Sequence, residues 1–226
     1  MPRDTSAAPD SRRAQLHVGS EQPPLRRRDR APPLCRVGPR QEAGIIARVI
    51  PEDSYSPVWT NDTRSPLPLV GEEREMLTAF LEWHRATFEL KCSGVPAERL
   101  SEQPVPPSTM SLHGLVRHLA AVERWWFRIQ FAGEDVPLLY YSDDDPDQDF
   151  DSLDGDVAQA FEVWRTECDR AREIVRNAGL DDTAIQRRTS EPISLRRILV
   201  TMIAEYARHD GHADLLRERI DGATGY

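Results

Sequence analysis

Four segments of the sequence, each about 20 residues long, carry apolar side chains at alternating spacings of three and four. This spacing matches the α-helical period of about 3.6 residues and places the apolar residues of each segment on one face. The segments run from about Glu72 to Lys91, from Ser111 to about Phe131, from just after Asp154 to Asn177, and from Ser194 to about Ile220. No competing strand pattern is strong. Because each apolar face needs a partner to be buried, the sequence predicts an all-α fold, a four-helix bundle.

The residues on these faces are the expected core. The four stripes are Leu77, Phe80, His84 and Phe88; Leu115, His118, Val122, Trp125 and Ile129; Val157, Phe161, Trp164, Cys168, Ala171 and Val175; and Ile198, Met202, Glu205, His209, His212 and Leu216. Ser111 and Ser194 are suitable N-caps, and Gly222 is a suitable end for the last helix. Cys168 is expected to be a buried small hydrophobic residue rather than a nucleophile.

The first 50 residues have the composition of a disordered extension. They contain ten arginines, five acidic residues and seven of the 18 prolines, with no sustained periodicity. The sequence therefore predicts a basic Pro/Arg-rich extension over residues 1–50 and the bundle over residues 51–226. A basic arm or a transit peptide is the functional alternative for the extension, but its five acidic residues and the lack of an amphipathic stretch argue against it.

A long acidic connection joins the second and third predicted helices over roughly residues 133–155. Such a length is unusual between neighbouring helices of a bundle. We expect this connection to cross one end of the bundle and to cover an opening there, with its acidic side chains in solvent.

Charge and composition exclude several classes of partner and enzyme. The net charge is −9, and the basic extension leaves about −14 on residues 51–226, so binding to nucleic acid is not expected. No stretch approaches the roughly 20 apolar residues of a membrane span. Phosphate-loop, dinucleotide-binding, serine-hydrolase and zincin motifs are absent from the sequence. The cysteines, Cys35, Cys92 and Cys168, are widely spaced, which favours a reducing cytoplasm.

Three ionisable residues interrupt the fourth apolar stripe. Glu205, His209 and His212 follow one another at spacings of four and three, so they project from one face of the helix. Burying a glutamate and two histidines without partners would cost several kcal/mol. A bound metal ion would resolve this conflict, and His118 on the second stripe is a further candidate ligand.

His118, Glu205 and His209 together provide two imidazoles and one carboxylate. This set suits Zn²⁺ best, with nickel, manganese and iron as the other candidates. Three protein ligands leave one coordination position open, as in catalytic sites. His212 has three alternative roles that the sequence leaves open: a fourth ligand, a hydrogen-bond partner of a ligand, or a surface residue.

Other residues near this set are expected to have structural roles. His84 and His113 are interpreted as structural or solvated. Trp125 lies about two turns beyond His118 on the same stripe and is expected to pack in the core, with a pocket wall as the alternative. Tyr206 adjoins a ligand in sequence but points elsewhere on the helix, so no catalytic role is assigned to it.

Two runs that contain these residues resemble the actinobacterial branch of the DinB-like superfamily. The runs are SLHGLVRHLAAVERWWF over residues 111–127 and EYARHDGHADLLRERIDG over residues 205–222. The resemblance covers approximately residues 50–226 and extends to mycothiol-dependent maleylpyruvate isomerases and YfiT-like proteins. It implies a bundle of the up-down-down-up type that holds a divalent metal through three residues. The matching positions here are His118, Glu205 and His209, and the isomerases also have glutamate at the position of Glu205.

The resemblance implies a cytoplasmic, divalent-metal-dependent enzyme that activates a low-molecular-weight thiol such as mycothiol, as a transferase or an isomerase acting on a small molecule. The specific isomerase reaction is not expected, because those enzymes have a further C-terminal domain and this chain ends at Tyr226. Water could use the same open metal position, so a hydrolase is the enzymatic alternative. A non-catalytic metal-binding stress-response bundle is the alternative from another class, and a homodimer is the candidate assembly.

Overall fold

The computed structural model describes residue 62 and residues 64–142, 144–145, 147–151, 153 and 156–224. The predicted extension over residues 1–50 lies outside the described residues. The described part is mostly helical, as the sequence predicted. Among its helices, none combines the length and the apolar character that a membrane span needs.

Four long helices occupy the segments that the apolar spacing predicted, and their ends differ from the predicted ones by a few residues, except that α2 reaches the predicted end at Phe131 only through a π-helical continuation. In chain order, the α-helices are α1 (Glu73–Cys92), α2 (Leu112–Glu123), α3 (Gln148–Asp151), α4 (Val157–Asn177) and α5 (Leu195–Asp221). A single turn of 3₁₀-helix, Ala97–Arg99, follows α1, and a π-helical segment, Arg124–Phe131, continues α2. Only the short α3 was not anticipated among the α-helices.

Capping residues determine where three of these helix ends lie. Ser111 Oγ accepts a hydrogen bond of 2.9 Å from the backbone N–H of Gly114, and Ser194 Oγ accepts one of 3.2 Å from that of Arg197. Gly222 follows α5 with a φ of 79°, a conformation that glycine adopts at little cost. All three ends agree with the sequence prediction.

A short β-hairpin that the sequence analysis did not predict precedes α5. Its strands, β1 (Thr183–Ile185) and β2 (Pro192–Ser194), pair antiparallel, with Ala184 opposite Ile193. Strands of this length are too short to show the alternation by which a strand is recognised in a sequence. The all-α prediction therefore holds for the helices but omitted this hairpin.

The four long helices surround one hydrophobic core. Helix α1 packs mainly against α5 and helix α2 mainly against α4, while α2 and α5 also touch. Each helix contributes completely or almost completely buried side chains, among them Phe88, Leu115, Trp164 and Met202. Cys168 is buried among them, and burial raises the pKa of its thiol. This environment agrees with the structural role predicted for Cys168.

The buried face of α1 is rotated from the predicted one. Leu81, Arg85 and Phe88 are buried, whereas Phe80 and His84 are only half-buried. The apolar spacing could not reveal this face, because the charged residue Arg85 lies at its centre.

Arg85 belongs to a buried polar network that joins all four long helices. Its guanidinium on α1 donates to both carboxylate oxygens of Glu123 on α2, at 2.8 and 2.6 Å. The Tyr206 hydroxyl on α5 donates to Glu123 at 2.7 Å, and the Trp164 indole N–H on α4 donates to the Tyr206 oxygen at 2.8 Å. We call these four residues the core network. Glu123 has no exposed surface, so its charge is compensated inside the protein.

The acidic connection between α2 and α4 folds back onto α2. Helix α3 lies in this connection and packs against α2, where a Cβ on Gly114 would lie 2.9 Å from the Phe150 side chain. Glycine therefore permits the close approach. Asp149 is buried as a result, whereas Asp147 and Asp151 are exposed. The prediction of solvated acidic side chains is thus wrong for Asp149, because packing of α3 removes it from water.

Candidate metal centre

The three predicted ligands lie together at the contact between α2 and α5. Helix α2 carries His118, and α5 carries Glu205 and His209 about one turn apart. One ligand atom from each residue lies within 4.8 Å of the other two. This separation is comparable to the span of two metal–ligand bonds of about 2 Å each. The three residues could therefore share one ion.

The Glu205 carboxylate contacts both imidazoles. Its Oε1 atom lies 3.2 Å from His118 Nε2 and 3.2 Å from His209 Nε2, and the two ring centroids are 4.7 Å apart. Both Nε2 atoms thus face the same point. Two imidazole nitrogens and a carboxylate oxygen form a donor set that suits Zn²⁺ and other first-row divalent ions.

Asp149, which the sequence analysis did not select, orients His118. Its Oδ2 accepts a hydrogen bond of 2.7 Å from His118 Nδ1, which leaves Nε2 facing Glu205. Burial lowers the pKa of His118, but the hydrogen bonds to Asp149 and Glu205 outweigh burial and raise it to about 9. A carboxylate on the outer nitrogen commonly accompanies a metal-binding histidine. No spacing signal linked Asp149 to His118, because its position depends on how α3 packs.

His212 lies behind His209 rather than beside Glu205. Its Nδ1 is 3.2 Å from His209 Nδ1, and it is not one of the residues whose ligand atoms converge. Burial and the proximity of His209 and Arg208 lower the pKa of His212. Of the three roles left open by the sequence, this placement corresponds to a hydrogen-bond partner of His209.

Glu205 supplies the negative charge of the cluster. Hydrogen bonds from His118 and His209 hold the pKa of its carboxyl well below the usual range. Its second oxygen accepts a bond of 3.2 Å from the exposed Arg208. The carboxylate is therefore ionised at neutral pH and available as an anionic ligand.

A pocket of about 320 Å³ adjoins the cluster. His118 and Glu205 line it, and Trp125, Trp126 and Tyr141 give it aromatic walls. Trp125 is thus a pocket wall, the less favoured of its two predicted roles. The volume is at the lower end of the range for small-molecule sites.

The loop of the β-hairpin forms a polar side of this pocket. The buried Gln130 side chain donates to the last carbonyl of β1 at 2.8 Å and accepts from the Arg187 N–H at 3.0 Å. Gln186 Oε1 in turn accepts from the backbone N–H groups of Arg188 and Thr189, at 2.8 and 2.6 Å. Gln186 and Arg188 both line the pocket. These bonds fix the loop in place. Its contribution to the pocket could not be predicted from the sequence, because the strands of the hairpin are too short to show a pattern.

The remaining residues that were considered lie outside the cluster. His84 Nδ1 is 2.8 Å from Asp210 Oδ2, and His113 Nδ1 is 2.9 Å from Ser101 Oγ. These contacts agree with the structural roles predicted for the two histidines. Tyr206 points into the core network, as expected from its position on α5.

Comparison with known proteins identifies the family. The sequence profile of the family described as mycothiol-S-transferase matches residues 76–222, which is more than half of the chain and includes the three clustered ligands. Searches of curated proteins and of solved structures found no match. The matched family is DinB-like, so the resemblance noted in the two sequence runs is confirmed. The chain belongs to the mycothiol-S-transferase family.

Proposed function

We propose that this protein is a divalent-metal-dependent S-transferase that couples mycothiol, or a similar low-molecular-weight thiol, to an electrophilic small molecule. The observation that carries the proposal is the convergence of His118, Glu205 and His209 beside an aromatic pocket. The family match supports the thiol as cosubstrate. An isomerase that uses the thiol transiently would need the same arrangement.

His118, Glu205 and His209 would hold the metal. Their donor set favours zinc, with nickel, manganese and iron as the other candidates. When bound, a divalent cation lowers the pKa of a coordinating thiol, which makes the thiolate available near neutral pH. In an S-transfer the sulfur forms a bond to the electrophilic carbon, the leaving group departs with its bonding electrons, and the thiol proton is released to solvent.

The chain's own side chains orient the ligands and shield the pocket. Asp149 accepts a hydrogen bond from the Nδ1–H of His118 and so sets the direction of Nε2. Trp125 and Trp126 supply apolar walls. Such walls exclude water from the reacting groups, which disfavours hydrolysis in competition with transfer to the thiol.

The two alternative functions use the same ligands differently. A non-catalytic metal site would be closed by a fourth protein ligand, but His212 lies against His209 Nδ1 rather than at the converging atoms, which supports an open position. A hydrolase would place water there, and the family description favours S-transfer over hydrolysis. We also propose that the protein acts in the cytoplasm, because a thiol cosubstrate stays reduced there.

Elemental analysis of protein purified without a metal-binding tag tests the metal centre. We expect near-stoichiometric metal in the wild type and its loss in His118→Ala and in His209→Ala. His84→Gln is the matched control, since His84 lies outside the cluster, and this variant is expected to keep its metal. Wild-type protein without metal, together with unchanged thermal stability in the two ligand variants, would overturn the proposal.

A conjugation assay tests the thiol chemistry separately. Mycothiol and 1-chloro-2,4-dinitrobenzene are incubated with the metal-loaded wild type, and the thioether product is followed by its absorbance. We expect product formation above the uncatalysed rate with the wild type and with His84→Gln, but not with His209→Ala. If a panel of such electrophiles gives no thioether while the metal is present, the result would contradict S-transfer and favour the non-catalytic metal-binding function.

A further inference from the structure

Arg188 is a cation beside the pocket that the described residues leave unpaired. Its backbone N–H is bonded to Gln186, but within the described ranges its guanidinium takes part in no hydrogen bond or ion pair. Arg124 and Arg128 on the π-helical segment differ in this respect, because both bind the buried Glu167, at 2.6 and 3.0 Å. Arg188 thus lines the pocket without a side-chain partner among the described residues.

Both carboxylates that line the pocket contact histidines, and the one oxygen without a hydrogen-bond partner among the described residues, Asp149 Oδ1, is buried. Asp149 accepts from His118 at 2.7 Å. Glu205 lies against both histidines and also accepts from Arg208 at 3.2 Å. A guanidinium in this position is therefore available to an acidic group of a ligand, which it can hold through two parallel hydrogen bonds.

The backbone that carries Arg188 is held in place before any ligand binds. Gln130 fixes the loop to the π-helical segment, and Gln186 bridges two successive N–H groups within it. A fixed loop loses little conformational entropy when a ligand binds, so the guanidinium can contribute to affinity despite its exposure.

The pocket also has aromatic walls, and these limit the shape and polarity of the part of the ligand that does not contact Arg188. Trp125, Trp126 and Tyr141 offer flat aromatic surfaces in a pocket of about 320 Å³, which suits a small planar or apolar body. We infer that Arg188 is a specificity-determining residue that binds the carboxylate of the electrophilic substrate, so that the pocket selects small planar carboxylates over neutral molecules of the same shape. This inference rests on the proposed function for the identity of the ligand as an electrophile.

A binding experiment without turnover tests the inference. Benzoate and its neutral counterpart benzamide are titrated, by ligand-detected NMR at low salt, into full-length protein treated with chelator. No thiol, metal or reaction is involved, so failure of the S-transfer proposal would not affect the result. The variants are Arg188→Ala and Arg188→Glu, with Arg187→Ala as the matched control, because Arg187 adjoins it in sequence and does not line the pocket. Circular dichroism establishes that each variant is folded.

We expect benzoate to bind the wild type and Arg187→Ala alike, and to bind Arg188→Ala about tenfold more weakly. Arg188→Glu should bind it more weakly still, because the introduced carboxylate repels the ligand. Affinity for benzamide should be the same in all four proteins. Absence of benzoate binding by the wild type, equal benzoate affinity in Arg188→Ala, or an equal loss of both ligands in that variant would overturn the inference.

If the conjugation assay succeeds, the Michaelis constants provide a second readout. Arg188→Ala should raise KM for a carboxylate-bearing electrophile and leave KM for a neutral one unchanged, with kcat changed little for either. A fall in kcat for both substrates with constant KM values would contradict a role in recognition.

Discussion

The core network and the candidate metal centre are both polar clusters inside a helical protein, but only the core network closes on itself. In the core network, Arg85 and Glu123 form two hydrogen bonds with each other, and Tyr206 and Trp164 add two more. In the metal centre, one oxygen of Glu205 faces two imidazole nitrogens beside a pocket. A closed cluster favours one packing of the helices, whereas an open one leaves lone pairs for a ligand.

The chemistry of the partners explains this difference. Glu123 is paired with an arginine, which has donors but no lone pair to offer as a metal ligand, and both of its oxygens already accept hydrogen bonds. Glu205 is paired with histidines, whose nitrogens become ligands when they lose a proton. Glu205 and Tyr206 are adjacent in sequence yet serve different clusters, because successive residues of an α-helix are turned by about 100°.

The largest effect is expected when the core network is opened. Arg85→Met leaves the Glu123 carboxylate buried without its cation, and we expect the free energy of unfolding to fall by about 3–5 kcal/mol. Urea denaturation measures this change. Arg165→Met is the matched control, because Arg165 and Glu89 form an exposed ion pair between α4 and α1, and its loss should cost less than about 1 kcal/mol.

The double variant Arg85→Met/Glu123→Leu sharpens the interpretation of this result. It removes both charges and should be more stable than Arg85→Met alone, because no uncompensated charge remains buried. Equal stability of the single and double variants would contradict the view that an unpaired carboxylate causes the loss.

A smaller effect is expected from one hydroxyl of the core network. Tyr206→Phe removes the donor to Glu123 and the acceptor for the Trp164 indole N–H, so we expect a loss of about 1–3 kcal/mol in urea denaturation. Metal content should stay at the wild-type level, although residue 206 adjoins Glu205. Loss of metal in a folded Tyr206→Phe protein would show that the two clusters are not independent.

Asp149→Asn affects the other cluster. Asparagine keeps an acceptor near His118 Nδ1 but removes the negative charge, and we expect metal affinity to fall about 10–100-fold. Competition with a chromogenic chelator measures the affinity, and Asp147→Asn serves as the control because Asp147 is exposed in the same connection. A similar loss of affinity in both variants would point to a general charge effect instead of a contact with His118.

The smallest effect concerns a histidine outside both clusters. Burial and the positive charge of Arg117 lower the pKa of His113 from its model-peptide value of 6.5. The unfolded state therefore binds a proton more readily than the folded state. As the pH falls from 6.5 to the lowered pKa, His113 should reduce the free energy of unfolding, whereas above pH 6.5 it should have no such effect. In thermal denaturation across this pH range, the melting temperature of His113→Gln should fall less steeply than that of the wild type. Identical dependence of the melting temperature on pH in the two proteins would contradict a lowered pKa for His113.

The helices could be predicted from the sequence, because burial of one face produces a local repeat. The caps at Ser111, Ser194 and Gly222 also depend on nearby residues, and all three were predicted. The grouping of Glu205 with His209 depends on spacing within α5. Their association with His118 depended on polar interruptions of two apolar stripes, one residue in the second stripe and three in the fourth. These signals lie in the sequence because helix geometry is regular.

The features that were not predicted from the sequence depend on contacts between distant parts of the chain. Arg85 was not expected in the core, because a charged side chain is buried only when a partner from another helix neutralises it, and Glu123 is 38 positions away. Asp149 was expected in solvent, because its burial depends on α3 packing against Gly114. Arg188 was overlooked, because its place beside the pocket depends on a hairpin held by Gln130.

The amino-acid sequence by itself thus determined the helical segments, the buried faces of α4 and α5 and the candidate metal ligands, since each follows from local periodicity and side-chain chemistry. Only the tertiary structure decided which charges are buried in pairs, which carboxylate orients His118, and which residues surround the pocket. These features arise from contacts between residues far apart in the chain, and such contacts are selected by the packing of the whole molecule rather than by any local pattern.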